Sequence, residues 1–177
     1  MLKMLIKISS IVFLLLFSNC FQAHNNVPET ETVQHESDRT SIRRLDVISF
    51  AKDHLGTTYK YAGISPAKGF DCSGFVHFVY KNFDIDLPRG SKEYKLLGTA
   101  LKPEEFKVGD ILVFYGYKDL TQIGHVGIIC EANGMKSKFI HSSSGKAYGV
   151  TISNLDSDHY ARRFYKCIDV IQEGSQN

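Results

Sequence analysis

An α+β fold is expected for this chain, on three observations. Apolar residues recur at helical spacing over 42–55 and again over 75–83. Short apolar runs bounded by Gly, Asn and Asp fill 111–171, as strands joined by turns do. The helical part precedes the strand part rather than alternating with it, which argues against a parallel α/β sheet. At 177 residues and 43% hydrophobic content there is material for one well-buried domain and too little for two.

The first stretch stands apart. Lys3 and Lys7 precede the apolar run Ile11-Val12-Phe13-Leu14-Leu15-Leu16-Phe17, too short to span a bilayer and laid out like a signal peptide. The following Phe17-Ser18-Asn19-Cys20 resembles a lipobox, so residues 1–19 are expected to be a lipoprotein-type signal peptide and Cys20 the acylated residue. Ordinary cleavage near Ala23 is the alternative. Residues 20–40, with three Glu, Pro28 and several Thr and Ser, read as a disordered tether spanning roughly 25 Å on average. The folded domain is expected over 41–173, with 174–177 as a tail.

Ser41 is a plausible N-cap for the first helix, whose apolar positions are Ile42, Leu45, Ile48 or Phe50, Ala51 and Leu55, with Gly56 as the stop. Tyr59 to Gly69 reads as a loop. Phe75, Val76, Phe78, Val79 and Phe83 give a second, buried helix with Asp71 near its start. Leu87-Pro88-Arg89 ends it, and a short helical piece is expected over 91–97. The strands expected are 111–115, 125–130, 138–141, 149–152 and 163–171, forming an antiparallel meander on which the second helix packs.

Cys72 lies at that helix start, where the positive end of the backbone dipole favours thiolate, the attacking form. Removal of the leader and of Cys20 leaves Cys72, Cys130 and Cys167, an odd count, so at least one thiol stays free in an oxidising compartment. Whether Cys130 and Cys167 pair is open. His125 begins a strand, and Gly127 two positions on leaves room beside it for an approaching thiol. His141 ends the next strand, so hairpin pairing would set the two imidazoles side by side. Nucleophile, base and orienting group are thus Cys72, His125 and His141. A zinc site made of the same three is the competing chemistry, but their spacing lacks a local metal motif. No metal and no cofactor are expected. The formal charge of +2 falls to about zero without Lys3 and Lys7, and no basic run marks a nucleic-acid partner.

Six blocks in order carry a resemblance: Tyr59-x-Tyr61-Ala62-Gly63, Gly69-Phe70-Asp71-Cys72-Ser73-Gly74-Phe75-Val76, Leu87-Pro88-Arg89-Gly90-Ser91, Val108-Gly109-Asp110-Ile111-Leu112-Val113-Phe114, His125-Val126-Gly127-Ile128 and Phe139-Ile140-His141. Together they resemble the NlpC-type cell-wall cysteine peptidases. The resemblance implies a papain-like fold and hydrolysis of amide bonds in murein stem peptides or their cross-links. It assigns Cys72 as nucleophile, His125 as base and His141 as third polar residue. It places the Tyr59 hydroxyl near the thiol and puts Asp71 and Ser73 in the substrate groove, Asp71 facing a substrate ammonium. Arg89 either binds a substrate carboxylate or ties down its loop. Three features depart from the pattern: Ala62 stands where Gly is usual, the loop to Cys72 is one residue longer, and Tyr94 stands where Gln is common. In brevity and lipobox the chain is similar to small murein endopeptidase lipoproteins of the outer membrane, held by a lipid anchor on its periplasmic side. The alternatives are a D-γ-glutamyl-diaminoacid endopeptidase and a non-enzymatic lipoprotein that binds wall fragments. The expected partners are peptidoglycan peptides and the membrane, and the expected state is a monomer.

Overall fold

The computed structural model describes residues 43–171. The expected signal peptide, Cys20, the tether, the Ser41 cap and the tail at 174–177 lie outside them. Helix α1 covers 43–52, followed by a turn to Gly56 at φ +80°. A small hairpin, β1 (Ile64–Ser65) with β2 (Gly69–Phe70), occupies the segment read as loop. Helix α2 is Cys72–Lys81, and the piece after Pro88 is a 3-10 helix, Ser91–Lys95. Strands β3 (Ile111–Tyr115), β4 (Ile123–Glu131), β5 (Lys138–Ser143), β6 (Gly149–Asn154) and β7 (Phe164–Ile168) form one antiparallel sheet in the order β6-β5-β4-β3-β7. The last strand therefore returns to the far edge of β3 instead of extending the meander. Helix α3 (Asp158–Ala161), which the apolar pattern did not announce, makes that return.

Alternation along the strands builds two cores. Ile111 and Val113, Val126 and Ile128, and Ile140 face α1 and α2 and pack with Val47, Phe75, Val76 and Val79. Leu112, Phe114, Ile129, Phe139 and Cys167 face the other way, with Phe106 and Leu155. Cys130 belongs to the first core and Cys167 to the second, and both are free thiols, so they do not pair.

Helix α1 buries Ile48 and Ala51 as expected, but the rest of its inner face differs. Leu45 and Leu55 are exposed, while Arg44, Val47, Ile48 and Ala51 are buried at spacing i, i+3, i+4, i+7. The arginine is tolerated inside because its guanidinium reaches Asp110 at 2.9 Å, Val108 O at 3.1 Å and Asp169. This cluster fastens α1 to the start of β3 and to the chain beyond β7.

Helix α2 starts at Cys72 because Asp71 holds extended dihedrals and accepts a hydrogen bond from Gly74 N–H at 2.7 Å. Its buried face is Phe75, Val76, Val79 and Tyr80, and the Tyr80 hydroxyl donates to Gly109 O. Asn82 caps its end.

Candidate active site

Helix start and sheet meet at Cys72. Its sulfur lies 4.0 Å from Gly124 O at the beginning of β4. Cys72, His125 and Tyr59 line one cavity of about 510 Å³, together with Gly124, the loop Ser142 to Gly145, Tyr160 and Arg163. A second cavity on the other side of the thiol shares Tyr59, Cys72 and Gly124 but is walled by Asp71, Ser73 and Arg89.

His125 and His141 are brought together as the hairpin expectation required, because β4 and β5 pair. The rings are nearly perpendicular with centroids 4.9 Å apart, and His125 Nε2 sits 3.0 Å from His141 Nδ1. His141 is fully buried, and its Nε2 lies 2.9 Å from Ser153 Oγ and 3.3 Å from the Tyr160 hydroxyl. One tautomer assignment makes this a relay. If His125 Nδ1 is to be the lone pair offered to a thiol, Nε2 carries the proton and donates to His141 Nδ1. His141 then carries its own proton on Nε2 and donates it to Ser153 or Tyr160.

The open space attributed to Gly127 has another use. A Cβ at Gly127 would collide with the Phe139 ring and crowd His141 Cβ. The missing side chain is what lets the stacked pair Phe139 and His141, 4.7 Å apart, lie beneath His125. Gly74 likewise serves packing rather than substrate approach, since a Cβ there would strike Gly63 O.

Burial and charge set the protonation states. Burial holds His125 well below the usual imidazole range, with the His141 ring adding to it, and brings His141 down to about 3. The Cys72 thiol is pushed up, first by burial and then by the Asp71 carboxylate, against the amides of Val126, Ser73 and Cys72. Both shifts act in the direction of a neutral thiol and a neutral imidazole, and the Asp71 carboxylate works against the helix start at Cys72.

Asp71 and Arg89 lie in the second cavity, but they are engaged with each other. Arg89 makes a fork on the Asp71 carboxylate at 2.8 and 2.9 Å and also reaches Gly63 O and Ser73 Oγ. Of the two roles weighed for Arg89, tying down its loop is the one this geometry presents, and the Asp71 charge is already answered. Tyr59 lies against Tyr148 with ring centroids 5.7 Å apart, and burial beside Cys72 raises its pKa. Tyr94, where Gln is common, is buried, with its hydroxyl 3.2 Å from Pro88 O. Ala62 sits at φ +59°, in the left-handed region where glycine is the easier residue.

Four side chains that wall the cavity beyond β4 and the Ser142 to Gly145 loop were among those not found from the sequence: Tyr117, His159, Tyr160 and Arg163. They belong to loops and to α3, and no local pattern marks them. Ser153, behind His141, was also missed; only its place on β6, paired with Phe139, brings it to the imidazole. Among the described residues, no group of three or more His, Cys, Asp or Glu is arranged to hold a metal ion.

The NlpC/P60 family model matches residues 56–169. The chain is 37% identical over 117 residues to the gamma-DL-glutamyl hydrolase of Bacillus subtilis strain 168, a match covering 64% of this chain and 26% of that protein. It is 30% identical over 143 residues to the murein DD-endopeptidase MepS/murein LD-carboxypeptidase of Escherichia coli K12, covering 77% of this chain and 71% of that protein. An NlpC/P60 family crystal structure from Bacillus cereus ATCC 10987 superposes with a TM-score of 0.62 at 30% identity, over 72% of this chain and 40% of the other.

Proposed function

The chain belongs to the NlpC/P60 family, and on that premise we propose that it is a cysteine peptidase of the bacterial envelope that hydrolyses amide bonds in peptidoglycan stem peptides or their cross-links. The observation that carries this reading is the chain of contacts from His125 Nε2 to His141 Nδ1, 3.0 Å, and on to Ser153 and Tyr160, with His125 and Cys72 in one cavity. It supports a base held in one tautomer and one ring angle.

In the proposed reaction Cys72 Sγ attacks the amide carbonyl carbon as its proton passes to His125 Nδ1. The backbone amide of Cys72 contributes to the oxyanion site. The carbon–nitrogen bond then breaks, and His125 returns the proton to the leaving amine. Water attacks the resulting thioester and gives a proton to His125; the sulfur leaves and is reprotonated, releasing the acid. Tyr59, Asp71, Ser73 and Arg89 form the acyl-side wall. Asp71, Arg89 and Ser73 hold one another, so of these four the Tyr59 hydroxyl is the group left to meet substrate.

Cross-link hydrolysis is the bond we favour, supported by the likeness to a murein DD-endopeptidase that the chain matches over most of its length. A γ-glutamyl bond is the second reading, supported by the relative named as a gamma-DL-glutamyl hydrolase. Mass spectrometry of defined muropeptides, cross-linked and uncross-linked, separates them: conversion of dimers to monomers supports the first, and shortening of uncross-linked stems supports the second. No conversion of either removes the peptidase reading. We further propose that 1–19 is a signal peptide, that acylation of Cys20 anchors the protein to the outer membrane, and that 20–40 tethers the domain. Labelled palmitate entering the wild type but not Cys20→Ser is the expected result; equal labelling contradicts it.

A further inference from the structure

We propose that Arg163 binds a carboxylate on the substrate residue that departs as the amine, so that it is a specificity-determining residue of this site. The inference rests on the peptidase reading above and deepens it.

Arg163 is 5% exposed, yet among the described residues no carboxylate pairs with it. Its Nε donates to Tyr115 O at 2.9 Å, and one terminal nitrogen donates to His159 Nε2 at 2.7 Å. That bond requires a lone pair on His159 Nε2, so this histidine is neutral and adds no countercharge. The second terminal nitrogen has no hydrogen bond to the described residues. The guanidinium lies 5.9 Å from the Tyr160 ring centroid and forms part of the wall of the cavity that holds Cys72 and His125. A buried cation without an anion is costly, and a ligand carboxylate offsets that cost.

The contrast with Arg89 is what singles this residue out. Each cavity beside the thiol has one arginine in its wall, but the Arg89 fork is filled by Asp71 whereas Arg163 has only neutral partners. The side of the substrate follows from the proton donor. His125 protonates the departing nitrogen, and it lines the Arg163 cavity and not the Asp71 cavity. The leaving residue therefore lies against Arg163. The chemistry that fits is a diamino-acid residue with a free carboxylate on the carbon that bears the departing nitrogen.

Two synthetic stem-peptide dimers differing only at that group, carboxylate in one and primary carboxamide in the other, provide the test. The wild type is expected to prefer the carboxylate in kcat/KM by about tenfold or more, mostly through KM. In Arg163→Gln the ratio falls toward one, while Arg163→Lys, which keeps charge without the fork, holds an intermediate ratio. A loss of fold through the Tyr115 contact would lower both rates together and leave the ratio in place. Equal rates for the two dimers in the wild type, or an undiminished ratio in Arg163→Gln, overturns the inference. If the wild type cleaves neither dimer, the cross-link reading fails, and calorimetry of both dimers on Cys72→Ala decides the carboxylate site separately. Equal affinities there contradict it.

Discussion

At the scale of single residues, the proposed chemistry turns on His125, whose pKa burial lowers. Its consequence is a rate that survives acid. Because burial holds His125 well below 6.5, the acid limb of kcat/KM is expected below pH 6.5. A limb at or above 6.5 would mean that an ordinary, solvated imidazole is the base. His141→Gln keeps a side chain able to accept from His125 and is expected to retain more activity than His141→Ala, by tenfold or more; equal rates would contradict an orienting hydrogen bond. Cys72, His125 and His141 were legible because a helix start, the opening of one strand and the end of the next mark their places locally. Those it missed, Ser153, Tyr160 and Arg163, reach the site through pairing of β5 with β6 and through α3, so their proximity is written in no single stretch of chain.

At the scale of elements, Asp71 links the start of α2 to the chemistry. It caps the helix, grips Arg89 and raises the Cys72 pKa. Asp71→Asn preserves a good cap and removes the charge, so the pH at which Cys72 becomes alkylated is expected to fall; an unchanged or higher onset would contradict the electrostatic role. Strand β3 and helix α2 were legible because a Gly-Asp turn before a continuous apolar run and a cap residue mark their starts. The face of α1 was not, since its burial is decided by the distant carboxylates of Asp110 and Asp169, which admit Arg44 and leave Leu45 outside. The return of β7 to β3 was equally hidden: a strand's own sequence does not name its partner.

At the scale of the whole molecule, the sheet carries two cores, and the histidine pair is built into the one that α2 does not cover. Phe114 and Phe139 floor it, with Tyr160 alongside. Embedding His141 there ties stability to pH. Its pKa is depressed from 6.5 to about 3 in the fold, so its contribution is present above pH 6.5 and is lost as pH falls toward 3. Asp110, pushed up to about 6 by burial, acts in the opposite sense: its contribution is fully present below 3.8 and is lost as pH rises through 6. Comparing wild type with His141→Gln cancels Asp110. Thermal unfolding should show the wild-type advantage shrinking as pH drops from 7 to 4, and a constant difference would contradict a neutral, buried His141.

The central claim, that Cys72 is the nucleophile of a peptidoglycan peptidase, is tested most directly by incubating wild type and Cys72→Ala with the same defined muropeptides and reading products by mass spectrometry, with circular dichroism confirming the fold of the variant. The wild type is expected to cleave and the folded variant to leave the substrate intact. Cleavage by Cys72→Ala at the wild-type rate would contradict the account.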